Sequence, residues 1–213
     1  MSGLSDNLEN IAEQIRRNFI ELDAAREKAL PCCREVIRNC SQAIRAVHRQ
    51  EFQPAAELLK TARRLLNEAE QTVVNYDELN YTGFFRDAQK EYAEGSILLS
   101  VVGGKPIPSP EELGIDAAAY LNGLGEAVGE LRRYLLDSMR QGDVSRGEEM
   151  LQIMDDIYSV LVTMDFPDAI TGGLRRTTDM VRGVLEKTRS DLTLIVRQKD
   201  LENRLEKIRG KQK

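Results

Sequence analysis

Pro54-Ala55-Ala56-Glu57-Leu58-Leu59-Lys60-Thr61-Ala62-Arg63-Arg64-Leu65-Leu66-Asn67-Glu68-Ala69 sets its apolar residues three and four apart, at Ala55, Leu58, Leu59, Ala62, Leu65, Leu66 and Ala69. That interval matches the turn of an α-helix and gathers the side chains on one face. Pro54 suits the first turn, where the helix needs no donor from its backbone nitrogen. The stretch predicts an amphipathic helix that buries one stripe and ends near Tyr76. The same period runs outward in both directions. Upstream, Cys33, Ile37, Cys40, Ile44 and Val47 mark a stripe on a helical segment over about 4–50, in which Pro31 is expected to kink or restart the helix. Downstream, helices are expected from near Asp77 to Val102, from about Asp116 to Arg140, over about 144–164, and from about Ala169 beyond Leu201. Gly103-Gly104-Lys105-Pro106-Ile107-Pro108-Ser109-Pro110 can be neither helix nor central strand and reads as a loop. No stretch alternates as a strand does, and no repeat of solenoid length occurs. The expectation is an all-α bundle of about seven long, mostly antiparallel helices, forming one domain over 1–213.

Composition agrees and narrows the chemistry. The 213 residues are 41% hydrophobic, enough to bury a core, yet only 5% aromatic with no Trp. No apolar run is long enough to span a bilayer. The start, Met1-Ser2-Gly3-Leu4-Ser5-Asp6, lacks the pattern of a signal peptide. Cys32, Cys33 and Cys40 are odd in number and clustered, which points to buried apolar residues or free thiols rather than a disulfide framework. A cytoplasmic protein is expected. The net charge of −5 is uneven: from Gly172 to Lys213 there are twelve Lys and Arg against six Asp and Glu, a net of +6, which leaves −11 on the first 171 residues. Such an end is either a polyanion-binding surface or a solvated final helix with a loose Lys-rich tail.

Two pairs of glutamates carry the candidate chemistry. Glu91 and Glu94 are three apart, Glu126 and Glu130 four apart, so each pair shares a helix face. Two such pairs on packed helices make an oxygen-rich cage suited to Mg²⁺ or Mn²⁺. With one His and no Cys-x-x-Cys, a zinc site is excluded in practice. Gly123, Gly125 and Gly129 interleave the second pair at a cost of about 1 kcal/mol each in a helix interior, which points to close helix packing or close approach of a ligand. Solvated glutamates on two helix surfaces remain the alternative.

Arg34, Arg38, Arg45 and Arg49 form a basic stripe beside His48. Guanidinium groups donate in pairs to phosphate, so the stripe is a candidate nucleic-acid face; ion pairing with a neighbouring helix is the alternative. Arg175 and Arg176, with Arg182, open the last helix after Gly172-Gly173. Cations there oppose the helix dipole and hint at an anionic partner. No phosphate-binding glycine loop, dinucleotide fingerprint or nucleophile elbow is present.

These stretches, taken in order, resemble a known family. Ile37-Arg38-Asn39-Cys40-Ser41-Gln42-Ala43-Ile44-Arg45-Ala46-Val47-His48-Arg49 looks like the first conserved helix of the translin/Trax superfamily. Gln89-Lys90-Glu91-Tyr92-Ala93-Glu94-Gly95 is similar to the Gln-Glu-Tyr-Val-Glu-Ala stretch of Trax. The segment from Tyr120-Leu121 through Gly129-Glu130-Leu131 to Gln141-Gly142-Asp143 resembles one that both branches share. The tail from Asp165-Phe166-Pro167-Asp168-Ala169 to Asp191-Leu192 is similar to single-chain prokaryotic members. The resemblance implies a seven-helix bundle in a roughly octameric homo-oligomeric shell. It also implies binding of single-stranded RNA, with single-stranded DNA or short duplex as further candidates. Of the two branches, it implies the Mg²⁺-dependent endoribonuclease, with Mn²⁺ as substitute ion, rather than the translin-like binder without catalysis. The Trax active-site residues fall on Glu91, Glu94 and Glu126, with Glu130 as fourth acid. Glu126 stands where Trax has Asp, one methylene longer.

Overall fold

The computed structural model describes residues 2–80 and 82–210. Nine helices and no strand occur among them: α1 (Ser2–His48), α2 (Phe52–Val73), α3 (Asp77–Asn80), α4 (Gly83–Val102), α5 (Pro110–Leu113), α6 (Ala117–Arg140), α7 (Gly147–Val162), α8 (Asp168–Thr171) and α9 (Leu174–Gly210). Six are long, and α3, α5 and α8 are single turns. The all-α expectation holds. The end of the Lys-rich tail, 211–213, lies outside the described residues.

Three boundaries differ from the sequence expectation, each for a local reason. Pro31 does not interrupt α1. It sits on the exposed side, where water can meet the carbonyl that proline leaves without a donor. The helix expected from Asp77 stops after one turn, and α4 starts afresh after Thr82, whose backbone is extended. The last helix does not begin at Ala169. Gly172 and Gly173 take positive φ of 63° and 86°, a conformation that ends α8 and that glycine adopts without strain.

The order of packing runs from the α1–α2 pair to α4, from α4 to α6, and from α6 to α7 and α9. Helices α4 and α6 are therefore central. On these two helices Ala93, Ile97, Ala127, Val128 and Leu131 are all fully buried. Truncating a residue such as Leu131 to Ala would cost about 2–5 kcal/mol.

Two glycines let α6 sit this close. A Cβ on Gly123 would lie 2.5 Å from the Lys90 carbonyl oxygen and 2.7 Å from Ala93 Cβ, both on α4. A Cβ on Gly125 would lie 2.4 Å from Thr177 Cγ2 on α9. The predicted close packing is thus seen on two sides of α6. Gly129 has nothing within 4 Å of its Cβ position, so packing does not account for it.

Cys33 and Cys40 line the inner face of α1 as buried small residues, and none of the three cysteines forms a disulfide. Burial pushes both thiols up, Cys33 to about 12, with Glu91 and Glu94 adding to the rise at Cys40. They stay protonated. No helix among the described residues is long and apolar enough to cross a membrane.

Candidate functional site

The contact between α4 and α6 brings three carboxylates together. Glu91 and Glu94 come from α4 and Glu126 from α6, each with an oxygen within 4.8 Å of the others. Diametrically opposed ligands of Mg²⁺ would lie about 4 Å apart, so small side-chain rotations close the set. Glu94 is buried, whereas Glu91 and Glu126 are half-buried at the mouth. Burial, followed by the charges of Glu91, Glu126 and Glu130, pushes the Glu94 carboxyl up to about 8. Glu91 is raised mainly by burial, against the lowering influence of Lys90. Crowded, partly dehydrated carboxylates offering oxygen alone are surroundings that a hard divalent cation would stabilise. The residues fit such an ion.

Glu130 is placed differently. Its Oε2 lies 2.5 Å from His48 Nε2 and 3.6 Å from Arg133 Nη1. The hydrogen bond from His48 holds its carboxyl below the usual range, against the effect of burial. Glu130 is near enough to load charge on Glu91 and Glu94 but stands outside the group of three.

The mouth of the site carries a counter-ion. Lys90 Nζ donates to Glu126 Oε1 at 2.9 Å. Burial alone would lower this ammonium, but the hydrogen bond and charge of Glu126, with Asp87 and Glu91, outweigh it and hold it above its ordinary range. Lys90 and Glu126 also line a cavity of about 570 Å³ that reaches Arg86, Asn122, Gly172 and Arg176. Asn122 fixes the far wall. Its Nδ2 donates to the carbonyls of Ala118 at 2.9 Å and Thr171 at 2.8 Å, and its Oδ1 accepts from Thr177 Oγ1 at 2.7 Å. One buried amide thereby ties the α8–α9 turn to α6.

No protein-family model matches the chain. Among solved structures, the AfC3PO–duplex RNA complex superposes with a TM-score of 0.78 at 34% identity, over 86% of this chain and 95% of that one. AfC3PO alone gives the same TM-score and identity, over 96% of its length. The chain belongs to the translin/Trax superfamily. Apo-NeC3PO, at 21% identity, a TM-score of 0.75 and 97% coverage of its chain, shares the fold. An uncharacterised protein of Methanocaldococcus jannaschii is 29% identical over 191 residues, spanning 87% of this chain and 83% of that protein.

On this translin/Trax fold the basic residues divide. Arg34, Arg38, Arg45 and Arg49 are all exposed. At about 100° per residue, counted on to Arg49 just past the end of α1, they fall within a roughly 60° sector. Arg38 pairs with Glu35 at 3.2 Å and Arg49 with Glu51 at 2.7 Å, while Arg34 and Arg45 form no ion pair among the described residues. His48 does not lie in the stripe. Its side chain is 6% exposed and turns inward to Glu130. A histidine one turn from buried Ile44 on an apolar face takes the partner found there. Arg175 is exposed and pairs with Asp165 at 3.3 Å, whereas Arg176 lines the cavity beside Glu126.

Two site residues carry little sequence signal. Lys90 sits inside the glutamate motif, but its partner is 36 residues away. Asn122 looks like an unremarkable helical polar residue until α8 and α9 are packed against it. A buried-face position for a polar residue, one before Gly123, is the one available hint.

Proposed function

We propose that this protein is a divalent-metal-dependent endoribonuclease that binds RNA inside a homo-oligomer. The observation that carries this reading is the convergence of Glu91, Glu94 and Glu126 from two helices. Those three residues would hold Mg²⁺, or Mn²⁺ in its place. When bound, such an ion supplies a Lewis acid for the phosphoryl oxygens and lowers the pKa of its water. The protein's own residues do the rest. Glu94, buried behind the other two, gives up its proton when the ion is taken. Arg176 at the cavity and the exposed stripe of Arg34, Arg38, Arg45 and Arg49 position the phosphate backbone without reading bases. Single-stranded RNA, single-stranded DNA and short duplex are the candidate partners. The duplex RNA held by AfC3PO supports that class.

Two exposed apolar stripes support the homo-oligomeric part of this reading. Leu8, Ile11, Ile15 and Phe19 lie exposed at helical spacing on α1, and Leu194, Leu201, Leu205 and Ile208 do so on α9. Stripes of this length on a net-acidic chain are covered economically by further copies of the same chain, up to an octamer. Closure would also concentrate the Arg stripes.

The test is cleavage of single-stranded RNA with Mg²⁺, comparing wild type with Glu91→Gln. The variant should lose at least about a hundredfold in rate and keep its RNA affinity. Affinity of the wild type should fall steeply with salt, and Arg38→Glu with Arg45→Glu should weaken unrelated sequences alike. Wild type that binds RNA and cuts nothing with either ion would sink the nuclease. One observation favours that second reading, a translin-like binder: Lys90 already neutralises Glu126. The longer reach of Glu126, in place of the Asp of Trax, bears on the same choice.

A further inference from the structure

Lys90 belongs to two neighbourhoods at once. Its Nζ is 2.9 Å from Glu126 Oε1, and Glu126 is itself one of the three converging carboxylates. Its side chain also lines the cavity that contains Arg86 and Arg176, where Asp87, Asp168 and Glu126 are the acidic walls. The Lys90 side chain is 25% exposed, and its ammonium rides on a flexible four-carbon stem. It can reach either neighbourhood without the backbone moving.

We propose that Lys90 is a moving cation of the active site, resting on Glu126 while the carboxylate cage is empty and turning into the adjoining cavity to meet an RNA phosphate once a divalent ion occupies Glu126. The inference rests on the metal-dependent reading above. Lys90 and a divalent ion compete for one carboxylate, because two cations near a single oxygen pair repel. The displaced ammonium then needs an anion. A phosphate in the adjoining cavity would meet it there, where Arg176 also lines the wall. There Lys90 neutralises charge that grows on the phosphoryl oxygens as the bond to the attacking oxygen forms and the bond to the leaving oxygen breaks. Metal loading is thereby coupled to substrate binding. The empty site masks both the carboxylate and the cation, and the loaded site presents both.

Lys90→Met removes the charge and keeps most of the length; Lys90→Arg keeps the charge on a slightly longer side chain. Titration calorimetry with Mn²⁺ should show Lys90→Met binding the ion about fivefold or more tightly than wild type, since the competitor is gone. Under single turnover at saturating Mg²⁺, the same variant should cleave single-stranded RNA about 10–100-fold more slowly, with Lys90→Arg restoring most of the rate. Binding of single-stranded RNA should be unchanged by Lys90→Met without metal and about threefold or more weaker than wild type with Ca²⁺ present, because Lys90 is freed only then. An unchanged Mn²⁺ affinity would overturn the competition. Tighter Mn²⁺ binding with undiminished cleavage would overturn the phosphate contact. If wild type cleaves nothing, the nuclease reading fails by itself, and the calorimetric and Ca²⁺-dependent binding arms still decide whether Lys90 moves.

Discussion

His48 Nε2 on α1 lies 2.5 Å from Glu130 Oε2 on α6, and this contact separates Glu130 from the three carboxylates beside it. Glu130 already has a donor in His48 and a second cation in Arg133. Both partners engage its Oε2, and Glu130 stands outside the group of three to which Glu126 belongs. Glu126→Gln should weaken Mn²⁺ binding at least about tenfold, since it removes a charged ligand. Glu130→Gln should change it by no more than about threefold. Calorimetric titration of both variants checks this, and equal losses would return Glu130 to the ligand set. His48→Ala should lower stability by about 1–3 kcal/mol, because it strips a half-buried carboxylate of its donor.

Glu94 makes stability depend on pH. Its carboxyl is raised from an ordinary 4.5 to about 8 in the folded chain, chiefly by burial and then by Glu91. A raised carboxyl binds its proton more tightly folded than unfolded. Its contribution is fully present below about pH 4.5 and is lost as pH climbs through about 8. Glu91 is raised too and acts in the same direction. Urea midpoints of the metal-free protein should therefore fall between pH 5 and pH 8.5. Glu94→Gln should flatten that decline. Mg²⁺ or Mn²⁺ should reverse it, because ion binding releases the proton, and affinity should rise by up to about tenfold per pH unit below pH 8. A midpoint that rises with pH in the metal-free protein would contradict the burial of Glu94.

The carboxylate pairs are legible in the sequence because helical spacing fixes which residues share a face. Their meeting is not, because it depends on how closely two helices approach. That approach is set by Gly123, where even a methyl group would collide with the backbone of α4. The periods of α2 and α6 are readable for the same reason as the pairs. The break at Thr82 and the start of α9 are less so, since a helical pattern runs on past the residues whose backbone ends it. Lys90, Asn122 and the inward turn of His48 depend on partners 36, 49 and 82 residues away. No local pattern encodes those.

The glycines of α6 divide accordingly. Gly123→Ala should destabilise the protein by about 1–3 kcal/mol, as an overpacked core does, and should weaken Mn²⁺ binding by pushing α4 and α6 apart. Gly129→Ala meets open space and should stabilise by up to about 1 kcal/mol through helix propensity. Thermal melts of the two variants should move in opposite directions. If both fall alike, Gly129 is constrained by something other than packing.

The exposed ends of α1 and α9 should close on other copies of this chain. Leu8, Ile11, Ile15 and Phe19 follow one another at intervals of three, four and four, between 48% and 67% exposed. Such spacing is the stripe one helix offers to another. Around it lie Glu13, Arg16 and Arg17, already paired with one another along the helix, so the charged faces need no partner and the apolar face does. A stripe left in water on every copy would expose large apolar side chains with no compensating contact. Light scattering at micromolar concentration should report an oligomer. Ile15→Asp with Phe19→Asp should shift it toward monomer, because each buried carboxylate costs several kcal/mol in an apolar contact. Helical content should stay unchanged, since both positions are exposed in the single chain. The same variant should lose salt-sensitive RNA affinity if the Arg stripe works only when several copies bring it together. A monomer at micromolar concentration in the wild type would remove both the shell and this explanation for how a net-acidic chain holds RNA.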